Sequence, residues 1–149
     1  MSGWRELEDA APDIAGAGRR LLEDPSGTPG VAFLATVSID GCPRLHPFVP
    51  AIVDRALYAF IIASPKRRDL DRDGAYAVHS RLGDNDESFF VAGHARRVDG
   101  ELQRARVADR MPYDDVDDNH VLYEFSIART LWTTWTSPTR PVYRSWRAQ

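Results

Sequence analysis

The chain contains very little cysteine and lysine. Its 149 residues include one cysteine, Cys42, and one lysine, Lys66, among 19 basic residues. A single thiol excludes an intramolecular disulfide and any zinc or iron–sulfur centre built from several cysteines. We therefore expect a reducing, cytoplasmic setting. Because arginine is the basic residue almost everywhere else, the ammonium group of Lys66 is a candidate for a specific role.

Long apolar runs and an excess of charge of one sign are also missing. The longest apolar stretch, residues 56–63, is too short to cross a bilayer, and residues 1–9 lack the basic start and apolar run of a secretory signal. The net charge is -3 and the pI about 5.8, which argues against a general nucleic-acid or anionic-membrane partner. At this length we expect one soluble domain over residues 1–149.

Common catalytic and metal-binding patterns are absent as well. The four histidines lack the short pairwise spacing of zinc sites, so we expect no metal site. No Gly-x-Ser-x-Gly elbow is present, and the glycines at positions 16 and 18 follow no strand, unlike those of a dinucleotide fingerprint. Nucleophilic catalysis therefore has little support in the sequence.

Hydrophobic periodicity predicts a mainly β chain after a helical lead-in. Residues 1–25 carry a helical pattern, with Asp13 as a candidate N-cap and Pro25 as its stop. An Asp-Gly pair at 40–41 between two apolar runs is typical of a hairpin. Further strands are expected near residues 43–53, 56–63, 75–80, 88–98, 121–135 and 141–147. Prolines 43, 47 and 50 suit an edge strand, a bulge or a strand that faces a ligand, and Gly93 is a candidate bulge. Six to seven strands without long helical crossovers favour an antiparallel barrel or sandwich with short flanking helices.

An anion-binding segment is predicted directly after the strand expected at residues 56–63. Ser64 is a good N-cap, Pro65 suits the first position of a helix, and Lys66 and two arginines follow. Positive charge beside a helix N-terminus favours a phosphate group. The alternative interpretation is a solvated helix whose arginines pair with the aspartates of the same helix.

Aromatic and arginine side chains are concentrated in the last 20 residues. Trp132, Trp135, Tyr143 and Trp146 alternate there with several arginines. This composition is typical of a subunit interface, and it also suits the wall of a cofactor site. Both interpretations stay open at this stage.

The order and spacing of these segments resemble the pyridoxamine 5'-phosphate oxidase-like family of flavin-binding split β-barrels. The resemblance covers residues 30–98 and rests on Pro-Arg-Leu-His-Pro-Phe at 43–48, Ser-x-Lys at 64–66, and the 20 residues that separate Arg44 from Ser64. It implies an antiparallel split β-barrel. It also implies a homodimer that holds flavin mononucleotide (FMN), or the deazaflavin F420, in clefts between the subunits.

The same resemblance assigns roles to individual residues. Arg44 and Lys66 would hold the phosphate, with Ser64 and Arg67 in support, and His46 is the candidate for contact with the ring or substrate. No acid–base residue is required of the protein, since the cofactor carries the hydride chemistry. The full set of implied cofactor-binding residues is Arg44, Leu45, His46, Pro47, Phe48, Val49, Ala59, Phe60, Ser64, Lys66, Arg67, Trp135 and Arg144.

Two departures from the family pattern narrow the expected activity. Val49 stands where the oxidases place a substrate-contacting lysine. Their C-terminal Trp/Arg substrate signature is matched only loosely by Trp135, Arg140 and Arg144. We therefore expect an FMN-dependent oxidoreductase that acts on another small organic substrate, with NAD(P)H as a candidate reductant. The alternatives are an F420-dependent reductase and a non-catalytic flavin or haem-binding or sensor protein.

Overall fold

Eight antiparallel strands form one sheet in the computed structural model, which describes residues 2–149. The strands are β1 Ala32–Val37, β2 Pro43–Phe48, β3 Ala51–Val53, β4 Ala56–Ile61, β5 Ala75–His79, β6 Ser88–Arg97, β7 Val121–Ser137 and β8 Arg140–Arg147. The helices are α1 Trp4–Ala10, α2 Pro12–Leu22, α3 Pro65–Arg72 and α4 Glu101–Arg110.

The long strand β7 organises the sheet. The strand order is β2-β1-β5-β6-β7-β4-β3, and β8 also pairs with β7. One edge of β7 pairs with β6, while its other edge pairs first with β4 and then with β8. The predicted mainly β, antiparallel split-barrel architecture with short helices is confirmed.

The sheet has eight strands rather than six or seven because the segment 43–53 is divided. Pro50 has no amide hydrogen to donate to a ladder, and it separates β2 from β3. The next turn lies at Asp54 and Arg55, whose φ angles of 50° and 61° give the two-residue geometry that suits a hairpin. The Asp-Gly hairpin between β1 and β2 is present as predicted, with Gly41 at φ 80°.

The N-terminal segment forms two helices instead of one continuous lead-in. Because Pro12 cannot donate an amide hydrogen, it takes the first position of α2, and the N-cap is Ala11 rather than the predicted Asp13. The apolar stripe of α2, including Ile14 and Leu21, is buried against the barrel as its spacing predicts. The two helices therefore cover the core in the way expected of the lead-in, but with a break between them.

A bulge in β6 requires a glycine. The register between β6 and β7 shifts between Ala92 and Gly93, as the sequence indicates. A Cβ atom at Gly93 would lie 2.0 Å from the carbonyl oxygen of Ser126. Only a residue without a side chain allows the two strands to approach this closely.

The buried side chains form two clusters. The larger lies inside the barrel and includes Leu34, Phe89 and Phe125, and the smaller packs α4 against β3 and β4 through Val107 and Phe60. The first cluster packs against the inner side of β2 and the second against β4. Core packing therefore holds in place both strands next to the predicted phosphate segment.

Candidate functional site

The edge strand β2 presents two chemically different faces. Arg44, His46 and Phe48 alternate on the inner face, where the Phe48 ring lies 6.0 Å from that of Phe125. The intervening residues face outward, and Leu45 is 68% exposed. Since successive side chains of a strand point to opposite sides, Arg44, His46 and Phe48 lie inside, while Leu45 and Pro47 lie outside.

Helix α3 begins as its sequence predicts. Ser64 is the N-cap, its hydroxyl accepts a hydrogen bond from the amide of Arg67 at 3.4 Å, and Pro65 occupies the first helical position. The Ser64 hydroxyl also donates to the carbonyl of Ile62 at 2.8 Å. The half-buried Lys66 forms no ion pair or hydrogen bond within residues 2–149, so its ammonium group is available to a ligand.

A buried carboxylate joins α3 to β2. Asp69 is 3% exposed and accepts from Arg44 Nε at 2.8 Å, from Arg44 Nη2 at 3.4 Å and from the Thr36 hydroxyl at 2.8 Å. The Arg44 guanidinium holds the pKa of Asp69 below its usual value, and the bonds from Thr36 and Arg72 act in the same direction against the effect of burial. Asp69 therefore fixes the position of the arginine predicted to bind phosphate.

His46 lies on the same face of β2 as Arg44. Its Nε2 is buried and has no hydrogen-bond partner in the part of the chain that the structure describes. Burial is the largest cause that lowers the pKa of His46, the positive charges of Lys66 and Arg44 lower it further, and Asp69 opposes them. The inner face of β2 and the start of α3 thus bring together two cations and an imidazole whose lowered pKa disfavours its charged form. We call Arg44, His46 and Lys66 the basic cluster.

Arg67 contacts the protein rather than open space. Its Nη1 donates to the carbonyl of Asn119 at 2.8 Å and to that of Ile61 at 3.4 Å. The Asn119 side chain in turn accepts from the amide of Ala63 at 3.1 Å. These bonds tie the loop before β7 to the start of α3, so the predicted supporting role of Arg67 would have to use its remaining donors.

The side chains of Ala59 and Phe60 are buried in β4. Ala59 is part of the barrel core, and Phe60 packs in the smaller cluster with the Arg104 guanidinium 5.2 Å from its ring centroid. Pairing with β3 covers Ala56–Tyr58 and stops before these two residues. Any contact between Ala59 or Phe60 and a ligand must therefore use the backbone.

The two C-terminal candidates lie on opposite faces of the β7–β8 ladder. Arg144 is opposite Trp132, with its guanidinium 5.6 Å from that ring, and it pairs with Asp13 of α2. Trp135 is three residues beyond Trp132 and so points to the other side. Along the sheet of one chain, Trp135 in β7 is four strand spacings from β2, about 19 Å, and Arg144 in β8 is five, about 24 Å. Neither residue therefore lies on a strand that neighbours β2 within one chain.

Several cavities lie outside the basic cluster. The cavity of about 840 Å³ lies between residues 26–28 and 108–116, one of about 560 Å³ lies beside Asp71 and Tyr123, and one of about 490 Å³ includes Trp135. No group of three or more metal-ligating side chains occurs among residues 2–149. In the same range, no helix is both long and apolar enough to cross a membrane.

Sequence reasoning missed the residues that position the predicted ligands. Asp69 had the pattern of an exposed helix charge. Within residues 2–149 neither Arg67 nor Arg68 pairs with an aspartate of α3, while Arg72 binds Asp69 at 3.4 Å. Asp71 instead binds Arg97 at 2.7 Å. The available signal was the apolar Leu70 beside Asp69, which indicates that one face of α3 is buried.

Comparisons with known structures identify the fold. No protein-family model and no curated protein matches the sequence. A haem-binding protein from Mycobacterium smegmatis has a TM-score of 0.69 at 16% identity and covers 93% of this chain, which spans 59% of that longer protein. A pyridoxamine 5'-phosphate oxidase-related, FMN-binding protein from Nostoc punctiforme PCC 73102 has a TM-score of 0.63 at 14% identity, with 96% of both chains covered. An F420 reductase has a TM-score of 0.58 at 22% identity over 74% of this chain and 92% of its own. The expected resemblance is thus confirmed as a shared split-barrel fold.

Proposed function

We propose that this protein binds FMN at the basic cluster and acts as an oxidoreductase on a small organic substrate. The observation that carries the proposal is that the ammonium of Lys66 and the buried Nε2 of His46, which feels its charge, both lack a partner within residues 2–149. Charged and polar groups in such positions cost free energy unless a ligand supplies their partners. A phosphate group provides several strong acceptors and negative charge in one place.

The residues of the site fit the two ends of a flavin nucleotide. Lys66 and the first turn of α3 would bind the phosphate, and Arg44 would contribute the face of its guanidinium that Asp69 does not use. The backbone of residues 46–49 would lie along the ring. When bound, the flavin supplies hydride transfer, while the protein orients it and limits the access of water.

A second copy of the chain would complete the site. The outward face of β1 and β2 is apolar: Phe33 is 44% exposed and Leu45 is 68% exposed, and Pro47 lies opposite Phe33. Exposed apolar surface of this kind typically marks an interface. The proposed homodimer would cover this face and bring Trp135 to the neighbour's cluster. Along the sheet of its own chain, Trp135 is about four strand spacings from β2, or about 19 Å.

The F420-dependent alternative is favoured by one residue. Arg68 is exposed and has no ion pair or hydrogen bond within residues 2–149, so it is free to contact an acidic extension beyond the phosphate. Arg72 is less available, because it donates to the carbonyl of Val37 and to Asp69. A carrier or sensor without turnover, holding flavin or haem, is distinguished by an activity assay on the loaded protein with NAD(P)H and electron acceptors.

The test is a titration of the purified protein with FMN, followed by the quenching of flavin fluorescence. Lys66→Ala should weaken binding by about 1.5–3 kcal/mol, which is roughly ten- to a hundredfold in Kd, because a charge-assisted bond is lost. Arg68→Ala is the matched control, since it removes the same charge two residues further along α3 and should leave FMN affinity unchanged.

Three results would contradict the proposal. The wild-type protein could fail to take up FMN, Lys66→Ala could bind FMN as tightly as the wild type, or the two variants could lose affinity equally. Parallel titrations with F420 and haem, read from their own absorbance, would then decide between the alternatives. A loss with F420 that appears in Arg68→Ala as well as Lys66→Ala would favour the deazaflavin.

A further inference from the structure

His46 has the surroundings of an anion-binding residue, and its buried ring nitrogen lacks a hydrogen-bond partner among residues 2–149. It lies on the inner face of β2, two residues from Arg44, and its buried Nε2 has no partner among residues 2–149. A buried ring nitrogen usually has a hydrogen-bond partner, and each exception requires an explanation. In the same range of residues, the ammonium of Lys66, whose charge acts on His46, also has no ion pair or hydrogen bond.

The charges that face His46 come from two elements. Arg44 lies on its own strand, and Lys66 and Asp69 lie on α3. The carboxylate of Asp69 is already bound to the Arg44 guanidinium and the Thr36 hydroxyl, so it gives His46 only partial compensation. Burial and the two cations together lower the pKa of His46, which keeps the imidazole neutral near pH 7 in the absence of a ligand.

We propose that His46 binds a phosphate or sulfate dianion directly and takes up one proton from solvent as it does so. The proposal rests on the phosphate position proposed above and adds a residue and a proton to it. His46 as a whole is only partly buried, so a turn of its ring would present Nε2 to a dianion held by Lys66. The dianion reverses the sign of the local field and gives Nε2–H an acceptor. Both changes favour the imidazolium, so the third cation of the cluster forms only when the anion is present.

Proton uptake makes anion affinity depend on pH with a defined sign. The pKa of His46 is low in the free protein and higher in the complex, so between these two values the complex holds one more proton. Affinity therefore falls as the pH rises, by up to about tenfold per pH unit within that window. A site that used only arginine and lysine would have constant affinity for sulfate over the same range, since neither group titrates there.

The experiment follows the four histidine rings of the full-length protein by NMR after labelling with ¹⁵N-histidine. The rings are titrated from about pH 5 to about pH 8.5, where histidine changes its charge. One sample contains sodium sulfate, which stays a dianion throughout, and the other contains sodium chloride at equal ionic strength. His46→Gln assigns the His46 signal by its disappearance. We expect sulfate to raise the pKa of His46 alone, by on the order of one unit.

Two variants separate direct binding from a general salt effect. Lys66→Ala should remove most of the sulfate-induced shift, whereas Arg68→Ala should leave it unchanged. His79, on the outer face of β5, is an internal control that should not respond. The inference is overturned if the pKa of His46 is the same in both salts, if His46 is already charged at pH 8, or if every histidine shifts equally.

This test is independent of the flavin. If sulfate raises the pKa of His46 but FMN does not bind, the FMN proposal fails and the proton-linked anion site stands. If FMN binds in a Lys66-dependent way without any change at His46, the cofactor proposal stands and the role of His46 is wrong.

Discussion

The contact between Thr36 and Asp69 allows a quantitative test of how the site is held. The Thr36 hydroxyl is 1% exposed and donates to the 3% exposed carboxylate of Asp69 at 2.8 Å. A hydrogen bond to a charged group contributes about 1.5–3 kcal/mol, and valine has nearly the shape of threonine. Thr36→Val should therefore lower the free energy of unfolding by about 2 kcal/mol, which corresponds to a fall in Tm of about 4–8 °C at this chain length.

The same substitution should have the opposite effect when the carboxylate is missing. In Asp69→Ala the Thr36 hydroxyl is buried without its acceptor, a situation that costs about 1–3 kcal/mol. Adding Thr36→Val to Asp69→Ala removes that unpaired hydroxyl and should raise the Tm. Thermal denaturation of the wild type, both single variants and the double variant gives the coupling free energy directly. If Thr36→Val costs the same in both backgrounds, within about 0.5 kcal/mol, the interpretation of this contact is refuted.

Low pH should remove the destabilisation caused by Thr36→Val. The bonds from Arg44, Thr36 and Arg72 hold the folded-state pKa of Asp69 below its usual value of 3.8. A carboxylate with a lowered folded pKa contributes stability that is complete above its unfolded pKa and is lost as the pH falls through the folded value. The penalty of Thr36→Val should therefore be constant from neutral pH down to about pH 5 and shrink below the usual pKa of an aspartate.

Three other outcomes are expected. Gly93→Ala should destabilise the protein by several kcal/mol, or prevent folding, because its Cβ would lie 2.0 Å from the Ser126 carbonyl oxygen. Gly16→Ala is the control in the same denaturation assay, because beyond the neighbouring backbone of its own helix no atom lies within 4 Å of the new Cβ. Leu45→Glu should convert the proposed dimer to a monomer of 16.7 kDa in light scattering. Leu102→Glu, at a site 67% exposed on α4, should not, and a monomeric wild type at micromolar concentration would contradict the interface. FMN affinity should fall together with dimerisation in Leu45→Glu.

Local signals in the sequence predicted the elements around the site well. The Asp-Gly hairpin, the Ser64 cap and the Gly93 bulge each depend on a few neighbouring residues, and each is present. The prolines at 43, 47 and 50 suited an edge strand, a bulge or a strand that faces a ligand, and β2 is an edge strand. A residue without an amide hydrogen is tolerated where no further strand pairs. The sequence wrongly predicted one continuous helix across Pro12 and one continuous strand across Pro50. Apolar periodicity continues through both positions, but a proline without an amide hydrogen begins a new helix at Pro12 and ends the ladder at Pro50.

The partners of the charged residues were not predictable in the same way. Asp69 belongs by sequence to a run of alternating charges, and its burial follows only once α3 packs across β1. Arg144 and Trp135 are close in sequence, but their strand positions point them to opposite sides of the sheet. Ion pairs between residues 25 or more positions apart depend on which strands become neighbours, and local patterns do not contain that information.

The sequence by itself determined the antiparallel β architecture, the start of α3 and the segment where a phosphate group is expected. These properties follow from short-range periodicity, missing backbone donors and capping side chains. Only the tertiary structure decided which cations remain available. Arg44 is held by Asp69, Arg67 by backbone carbonyls and Arg144 by Asp13, while the single lysine has no partner in the described chain. A charge acquires its partner from the packing of distant segments, and so the unusual lysine of the sequence becomes a candidate ligand only in the folded protein.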